Sequence, residues 1–395
     1  MTRPHQTRCG KRESEEHHVM TATPTRSTAA VWRPGDPVGD RRFAAIGDLT
    51  LERGGVLHDV TVAYETWGTL SPSGDNAVLV EHALTGDSHV VGEAGPAHVS
   101  PGWWPGLIGP GAPLDTDRLF VVASNVLGGC QGTTGPATPD GDGRPWGGRF
   151  PFVTIRDQVA AEAALADALG IERWHGVLGG SMGGMRALEW VATHPERVER
   201  ALVLASTAYA TADQVAWCLP QLLAIRSDPA YRGGDYYASD DWPVTGMGIA
   251  RRIAHTTYRH EGELDERFGR RPRAGEDPLG GGGRYDVESY LDHHATKLAR
   301  RFDPNSYVVL TEAMNSHDIG RGRGGVGAAL GEFRGELHVA GVTTDRLYPL
   351  RLSEEMAAAR PGTRLSVVES RHGHDGFLVE TTQVGAVIER ALRAG

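Results

Sequence analysis

Gly179-Gly180-Ser181-Met182-Gly183-Gly184 is the stretch on which the interpretation of the whole chain depends. It follows a short apolar run, Val177-Leu178, and precedes a helix-like segment at 185–192. Strand, tight glycine turn and helix around the pattern G-x-S-x-G are the context of a nucleophile elbow, which holds its serine in a strained conformation with an exposed hydroxyl. The flanking glycines let the strand and the helix approach without Cβ clashes. A glycine-rich loop that merely contains a serine explains the motif alone equally well, so the rest of the chain has to decide.

Composition and charge narrow the class of protein. The chain has 395 residues, 39% of them hydrophobic and 23% charged, which is ordinary for a globular enzyme. The net charge of -10 argues against nucleic acid or an anionic membrane as a partner, and no apolar run approaches the roughly 18 residues of a spanning helix. The first thirty positions lack the apolar centre of a secretory signal. Three cysteines (Cys9, Cys130 and Cys218) are too few for a disulfide framework and lack metal-binding spacing. We therefore predict a reduced, cytoplasmic protein without a metal site.

The pattern along the chain predicts a mostly parallel sheet. Residues 1–40 are predicted to be a disordered segment, because the first 35 or so are polar and aperiodic, and Met20 is a possible start. Two alternating runs around Gly54-Gly55 predict a hairpin over 49–64. Short uninterrupted apolar runs follow, and such runs are typical of strands covered on both faces and alternating with helices. They lie at 77–80, 119–123, 176–178, 201–205, 337–340 and 365–368.

A long insert without strand pattern separates the fourth of these runs from the fifth. It contains four helix-like pieces, at 214–225, 246–258, 287–301 and 305–314. A charged run at 261–277 and the glycines at 280–283 predict an exposed flexible loop. Because α/β sheets bind ligands at the carboxyl ends of their strands, we predict that 207–325 is a helical lid over that edge. The core is then formed by 41–206 and 326–395.

A serine nucleophile needs an imidazole to take its proton and a carboxylate to orient that imidazole. Asp345 and His374 each follow one of the last two apolar runs, which places both at the same sheet edge as Ser181. The chain order Ser, Asp, His is that of the α/β hydrolases. His372 is the competing base, but a helix-like run follows His374, and His372 is better suited to support the loop. For Asp345, the alternative is an aspartate that only caps its loop.

An oxyanion hole needs two backbone N–H donors. The Met182 amide, at the start of the helix after Ser181, is the first candidate. The glycine-bearing turn at 83–87 follows an earlier strand and could aim the Leu84 amide at the site. His82 either orients this turn or is a buried structural histidine.

Six segments of the chain together match one family, and they lie at 82–87, 125–136, 150–157, 179–184, 300–307 and 373–375. The block Gly128-Gly129-Cys130-Gln131-Gly132-Thr133-Thr134-Gly135-Pro136 is much more specific than G-x-S-x-G. From about Phe43 to its end, the sequence resembles the homoserine O-acetyltransferases, α/β-hydrolase-fold acyltransferases of methionine biosynthesis. The resemblance implies that acetyl is moved from acetyl-CoA to L-homoserine without a bound cofactor, with Ser181, Asp345 and His374 as the triad. It also suggests a homodimer, formed through lid helices.

The resemblance further implies that Arg251, Tyr258 and Asp375 bind the acceptor. Homoserine carries a carboxylate, which suits the planar fork of Arg251, and an ammonium, which Asp375 can hold. Arg251 and Tyr258 are seven residues apart and so share one helix face. Without the family, a solvated lid charge would be the preferred interpretation of Arg251. Glu81 departs from the family pattern, since many relatives have a small residue there.

Other functions stay open at this point. The same fold could act as a plain esterase or thioesterase, which would not need Arg251 and Asp375. It could use succinyl-CoA as the donor or serine as the acceptor, because one methylene changes the free energy of binding by only about 1–3 kcal/mol. A non-catalytic interaction protein is disfavoured by the intact serine, aspartate and histidine set.

Overall fold

The computed structural model describes residues 30–393, and an eight-stranded sheet forms its centre. The strands are β1 (Arg42–Thr50), β2 (Val56–Trp67), β3 (Ala77–Glu81), β4 (Ile108–Gly109), β5 (Leu114–Asp115), β6 (Phe120–Ser124), β7 (Gly176–Gly180), β8 (Arg200–Leu204), β9 (Glu336–Val342) and β10 (Arg364–Val368). The large sheet has the order β1-β2-β6-β3-β7-β8-β9-β10, and β4 pairs with β5 separately. β2 is antiparallel to β1 and to β6, and the remaining neighbours in the large sheet are parallel. The predicted hairpin and parallel sheet are confirmed.

Helices cover both faces of the sheet. They are α1 (Ile155–Ala168), α2 (Met182–Thr193), α3 (Ala212–Arg226), α4 (Val244–Tyr258), α5 (Glu261–Phe268), α6 (Asp286–Ala299), α7 (Pro304–Asn315), α8 (Val326–Gly331), α9 (Leu350–Ala359), α10 (Gly376–Val379) and α11 (Thr381–Leu392). One apolar cluster joins side chains of α1, α2, α8 and α9 to one face of the strands, and another joins α11 to the opposite face. Along β3, Leu79 belongs to the first cluster and Val80 to the second. Burial on both faces explains why the strands are uninterrupted apolar runs.

The insert between β8 and β9 is helical, as predicted, and packs on the carboxyl edge of the sheet. α4 lies between α3 and α6. A third apolar cluster joins Leu222 of α3, Met247 of α4 and Leu310 of α7 to Leu84 and Met182 of the core. The two candidate oxyanion donors therefore lie directly beneath the lid.

The charged run at 261–277 was predicted to be part of an exposed loop, and this is wrong for its first half, which forms α5. The His260 side chain accepts a hydrogen bond from the Gly262 amide and so caps the helix. Glu261 and Glu263 lie in the first turn, where negative charge is stabilised by the helix dipole. This cap, together with the ion pair between Glu263 and Arg259, stabilises a helix in a segment whose charged composition had indicated a loop. The rest of the loop is exposed as predicted, with Leu279 91% accessible.

The amino-terminal segment is packed on the core earlier than predicted. Ala30 and Val31 are buried, and the Trp32 amide donates to the Cys130 carbonyl at 2.9 Å. The predicted disordered segment 1–40 is therefore too long at its carboxyl end, because two small apolar residues find a site on the core. The predictions for residues 1–29, including Met20, lie outside the described residues. No helix within 30–393 combines the length and apolarity required to cross a bilayer.

Candidate active site

Ser181 occupies the turn between β7 and α2 with φ 57° and ψ -122°, a positive-φ conformation that only a few non-glycine residues of the described chain adopt. Its amide donates to the Leu204 carbonyl at 2.9 Å, and the Ser206 hydroxyl donates to its carbonyl at 2.7 Å. A Cβ at Gly183 would lie 2.1 Å from the Glu81 carbonyl oxygen, so glycine is required there. The strained serine and the close helix approach are the features of a nucleophile elbow.

Asp345 and His374 form a buried hydrogen-bonded pair at the ends of β9 and β10. The His374 Nδ1 lies 2.6 Å from the Asp345 Oδ2. The other oxygen, Oδ1, accepts from the Leu347 and Tyr348 amides, each at 2.8 Å. Burial lowers the pKa of His374, but the Asp345 carboxylate, its hydrogen bond and the Asp375 carboxylate raise it more, so the net pKa lies above the ordinary value. A carboxylate held on one side and an Nδ1–H donated to it leave Nε2 as the base.

Tyr348 connects the serine to this pair. Its ring centroid is 5.1 Å from that of His374, and its hydroxyl interacts with the Ser181 side chain. Burial raises the pKa of Tyr348 well above the ordinary value, so the phenol stays neutral. The structure therefore gathers Ser181, Asp345 and His374 around one phenol at the carboxyl edge of the sheet.

The two candidate oxyanion donors come from different strand ends. Met182 is the first residue of α2, where an amide has no intrahelical acceptor. Leu84 lies three residues after β3, in a turn closed by a hydrogen bond from the Gly86 amide to the Ala83 carbonyl at 2.9 Å. Both residues are buried beneath the lid. Leu84 and Met182 therefore remain the candidate oxyanion donors.

His82 holds this turn and does not take part in the triad. The Val126 amide donates to its Nε2 at 3.1 Å, so Nδ1 carries the proton and donates to the Ala83 carbonyl at 2.8 Å. Burial, together with the Arg186 cation, lowers the pKa of His82 to about 3. Both sequence interpretations therefore apply, since His82 is a buried structural histidine that orients the turn carrying Leu84.

A charge network that the sequence reasoning missed lies under the elbow. Arg186, fully buried on α2, donates to Glu162 at 2.6 Å and to the His82 carbonyl at 2.6 Å, and lies 3.0 Å from Glu81. Burial raises the pKa of Glu81 well above its ordinary value. The only signal in the sequence was an arginine and an acidic residue inside apolar elements, Arg186 in α2 and Glu81 in β3. Both usually sit at a surface.

The lid contributes a cation with unused hydrogen-bonding capacity. The Nε and Nη1 atoms of Arg251 are buried and have no partner among the described residues. Its guanidinium carbon lies 5.2 Å from the centroid of the Tyr258 ring. The adjacent Arg252 is paired instead, with both Nε and Nη2 donating to Asp292 at 2.9 and 2.7 Å. Of the two neighbouring arginines, Arg251 is the one built to receive an anion.

Asp375 lies beside the base and is tied to the lid by Arg259, a residue that the sequence reasoning did not single out. The Arg259 Nη1 lies 3.3 Å from the Asp375 Oδ2, while its Nε and Nη2 donate to the two oxygens of Glu263 at 3.0 and 2.6 Å. Its Nη2 also lies 3.1 Å from the His372 Nδ1, so His372 supports the loop. Burial raises the pKa of Asp375, opposed by the cations of Arg251, His374 and Arg259. The spacing of four residues between Arg259 and Glu263 was the available signal.

A small enclosed cavity of about 30 Å³ lies between the lid and the core. Among its lining residues are Leu84, Met185, Tyr258, Leu347 and Tyr348, so it adjoins the candidate oxyanion turn and the phenol beside Ser181. Its walls are mostly apolar, and its size suits a small group.

A second cluster, outside the triad, brings together Glu65, His89 and His98, which have metal-ligating side chains. The two imidazoles are stacked, with centroids 3.8 Å apart and planes 9° from parallel, so their ring-nitrogen lone pairs lie in parallel planes and do not converge. Arg41 donates to the His98 Nδ1 at 3.3 Å, and Glu65 lies 3.1 Å from the His89 Nδ1. These contacts form a buried charge network. The Arg41 guanidinium is part of it and would repel a metal cation placed there.

Comparison with known proteins agrees with this architecture. The family model for the alpha/beta hydrolase fold matches residues 76–381. The homoserine O-acetyltransferase of Thermobifida fusca is 62% identical over 373 residues, covering 94% of this chain and 98% of that protein. That of Nocardia farcinica is 58% identical over 358 residues, covering 90% and 94%.

Two solved structures show how the same fold is used. A homoserine O-acetyltransferase from Bacillus anthracis superposes with a TM-score of 0.83 at 25% identity, covering 91% of this chain and 98% of that one. Esterase E22 superposes with a TM-score of 0.81 at 25% identity, covering 89% and 99%. The fold alone therefore does not separate a transferase from an esterase. The sequence identity to the curated relatives, which extends over nearly the whole of each chain, does separate the two. This chain belongs to the homoserine O-acetyltransferases, acyltransferases with the α/β-hydrolase fold.

Proposed function

We propose that this protein transfers an acetyl group from acetyl-CoA to the side-chain hydroxyl of L-homoserine through an acetyl-Ser181 intermediate. The observation that carries the proposal is that the buried Nε and Nη1 atoms of Arg251 have no hydrogen-bond partner among the described residues, while Asp375, whose carboxylate interacts electrostatically with Arg251, adjoins the base His374. A free amino acid presents one carboxylate and one ammonium. The guanidinium of Arg251 matches the first, and the carboxylate of Asp375 matches the second. A hydrolase of neutral esters has no use for that pair of charges.

In the first half-reaction, Ser181 attacks the thioester carbonyl of acetyl-CoA. The His374 Nε2 takes the hydroxyl proton while Asp345 stabilises the resulting imidazolium. The negative carbonyl oxygen is stabilised by the Leu84 and Met182 amides. The carbon–sulfur bond then breaks, His374 returns the proton to the sulfur, and CoA leaves with its thiol restored.

In the second half-reaction, L-homoserine binds with its carboxylate at Arg251, beside Tyr258, and its ammonium at Asp375. His374 takes the proton of the acceptor hydroxyl, whose oxygen attacks the acetyl carbonyl. The bond to Ser181 breaks, the serine takes the proton back from His374, and O-acetyl-L-homoserine leaves. Water competes with the acceptor, and an oriented hydroxyl has the advantage of a high effective molarity.

For the donor, the small mostly apolar cavity beside Leu84 favours acetyl over succinyl, whose extra carboxylate would need its own counter-charge. The product is proposed to serve methionine biosynthesis in the cytoplasm, in keeping with the family resemblance. The main competing function is an esterase or thioesterase of the same fold, and succinyl transfer or serine as the acceptor is the next.

One experiment separates these functions. The protein is exposed briefly to acetyl-CoA or to succinyl-CoA, and the peptide containing Ser181 is weighed by mass spectrometry, with Ser181→Ala as the control. Release of CoA is then followed with homoserine, with serine and without an acceptor. We expect an acetyl group on Ser181 and turnover that homoserine accelerates. Equal release with and without homoserine would show a thioesterase, and a label from succinyl-CoA alone would show the other donor.

We also propose that two copies associate through the lid. Val215, Leu219 and Leu223 are spaced four apart on α3 and are 39%, 56% and 54% exposed. Such a stripe on one helix face is typical of a helix–helix contact. Sedimentation velocity should show a dimer that Leu219→Glu dissociates, whereas Leu279→Glu, on an exposed loop, should not. A wild-type monomer at micromolar concentration contradicts the proposal.

A further inference from the structure

A larger cavity, of about 430 Å³, lies at the outer side of the lid, between α6 and a core loop. Val99 and Ser100 line it from the core, and the other lining residues come from the carboxyl half of α6 and the residues just after it. These are His293, Thr296, Lys297, Arg300 and Arg301. No acidic residue is among the described residues that line it.

The basic side chains in this cavity share one helix face. His293, Lys297 and Arg300 follow each other at intervals of four and three, which places them on one side of α6. All three are exposed, so a ligand in the cavity can reach them. Lys297 is the one lysine between residues 30 and 393. In a chain with a net charge of -10, a cavity lined by cations and no carboxylate among the described residues is a local exception.

Arg301 connects this cavity with the reacting centre. Its Nη1 donates to the Thr85 carbonyl at 2.9 Å, and Thr85 directly follows Leu84, the candidate oxyanion donor. Burial lowers the pKa of Arg301, the Asp87 carboxylate opposes this, and the Arg251 cation lowers the pKa further. One end of the basic cavity therefore borders the turn that carries Leu84.

A neighbouring cavity of about 310 Å³ shares Val99 and Arg301 with the first but has a different charge. Asp36 and Asp87 are among its lining residues, and the carboxylates of Asp87 and Glu65 face its one other arginine, Arg41. Because two carboxylates line this second cavity, it is the poorer site for a highly charged anion.

We propose that the cavity beside α6 binds the phosphate groups of the CoA nucleotide, and that the acyl-pantetheine arm runs from there past Arg301 to Ser181. The inference rests on the proposed function, because it assumes a CoA thioester as the donor. The charges of CoA match those of the cavity, because CoA carries a diphosphate and a 3′-phosphate on one flexible molecule. Cationic side chains on one helix face can contact these phosphates without a dedicated phosphate-binding loop. Lys297 and Arg300 are the binding residues that this arrangement singles out.

The test compares two donors, acetyl-CoA and S-acetylpantetheine, which lacks the nucleotide. In Lys297→Ala and in Arg300→Ala, we expect KM for acetyl-CoA to rise about tenfold, the loss of one charged hydrogen bond, with kcat unchanged. The kinetics with S-acetylpantetheine should stay as in the wild type. Arg118→Ala, an exposed arginine just before β6 at the opposite edge of the sheet, is the matched control. Unchanged KM for acetyl-CoA, or an equal change with both donors, overturns the proposal.

A binding measurement separates failure of this site from failure of the proposed function. Calorimetric titration with CoA alone needs no acceptor, and we expect weaker binding in the two variants and weaker binding of dephospho-CoA to the wild type. Lys297 should also be protected from an amine-reactive reagent by adenosine 3′,5′-bisphosphate. If CoA binds equally to the wild type and the variants, and the bisphosphate does not protect Lys297, the proposed phosphate site is wrong even when acetyl transfer is observed. If CoA binds as expected but homoserine is not acetylated, the proposed phosphate site is supported and the proposed acceptor is wrong.

Discussion

The core and the lid supply their parts of the active site in different ways. In the core, Ser181, Asp345 and His374 each follow the end of a parallel strand, so the sheet brings them together and backbone hydrogen bonds fix them. In the lid, Arg251 has buried nitrogens without a partner among the described residues, and Arg259 is held by side-chain contacts with Glu263, Asp375 and His372. The core, held by backbone hydrogen bonds, is suited to the chemistry common to the fold. The lid, with its charged side chains, is suited to the choice of acceptor.

The largest effect should come from the core, in Asp345→Asn. The amide can keep one acceptor toward the Leu347 and Tyr348 amides, but it presents N–H to the His374 Nδ1 and so favours the tautomer that carries its proton on Nε2. Such a histidine cannot take the Ser181 proton, and we expect acylation to slow about 10⁴-fold, the loss known for this change in a serine protease.

The measurement is the rate of CoA release in a single turnover, with circular dichroism to show that the fold is kept. Asp292→Asn, which removes the partner of Arg252 on the lid, serves as the control and should acylate normally. A loss of less than about tenfold in Asp345→Asn would show that Asp345 only caps its loop.

A smaller and more selective effect should follow in the lid, in Arg251→Ala. Losing a charged hydrogen bond to the acceptor carboxylate should lower kcat/KM for homoserine about 10- to 100-fold. Acylation by acetyl-CoA should change little, because Arg251 has no role in that step. Both rates are measured in the same preparation.

The neighbouring residue provides a matched control. Arg252 has the same side chain on the same helix but is already paired with Asp292, so Arg252→Ala should keep the acceptor kinetics. If acylation falls as much as kcat/KM for homoserine in Arg251→Ala, the division between core and lid is not supported.

This division also explains what the sequence could predict. Strand ends are local signals, so Ser181, Asp345 and His374 could be singled out as candidates from the apolar runs and their order, and the pairing of His374 with Asp345 is observed. The contact of Arg259 with Asp375 joins residues 116 positions apart, and nothing in the pattern of either segment indicates it. The same holds for Arg186 and the His82 carbonyl, 104 positions apart. Long-range ion pairs are decided by tertiary packing. The helix α5 was missed for a different reason, because its signals, the His260 cap and the glutamates of the first turn, are local but were outweighed by the charged composition of the segment.

The smallest expected effect tests how far the charge of Asp375, a core residue that Arg259 ties to the lid, sets the basicity of His374. Although burial lowers the pKa of His374, the Asp345 carboxylate and, less strongly, the Asp375 carboxylate raise it above its ordinary value. Acylation needs neutral His374, so its rate should rise with pH through that pKa. Asp375→Asn removes one negative charge and should lower the pKa of His374, which moves the acid limb of the profile to lower pH.

p-Nitrophenyl acetate is the appropriate substrate for this profile, because it acylates Ser181 without needing the acceptor that Asp375 is proposed to bind. Glu266→Gln is the control, since Glu266 is an exposed carboxylate paired with Arg371 and should leave the limb in place. A limb that stays fixed in Asp375→Asn would mean that Arg259 and Arg251 neutralise Asp375 before its charge reaches the base, and a shift to higher pH would contradict the expected effect of that charge. In either case the basicity of His374 would be set by Asp345 and not by Asp375.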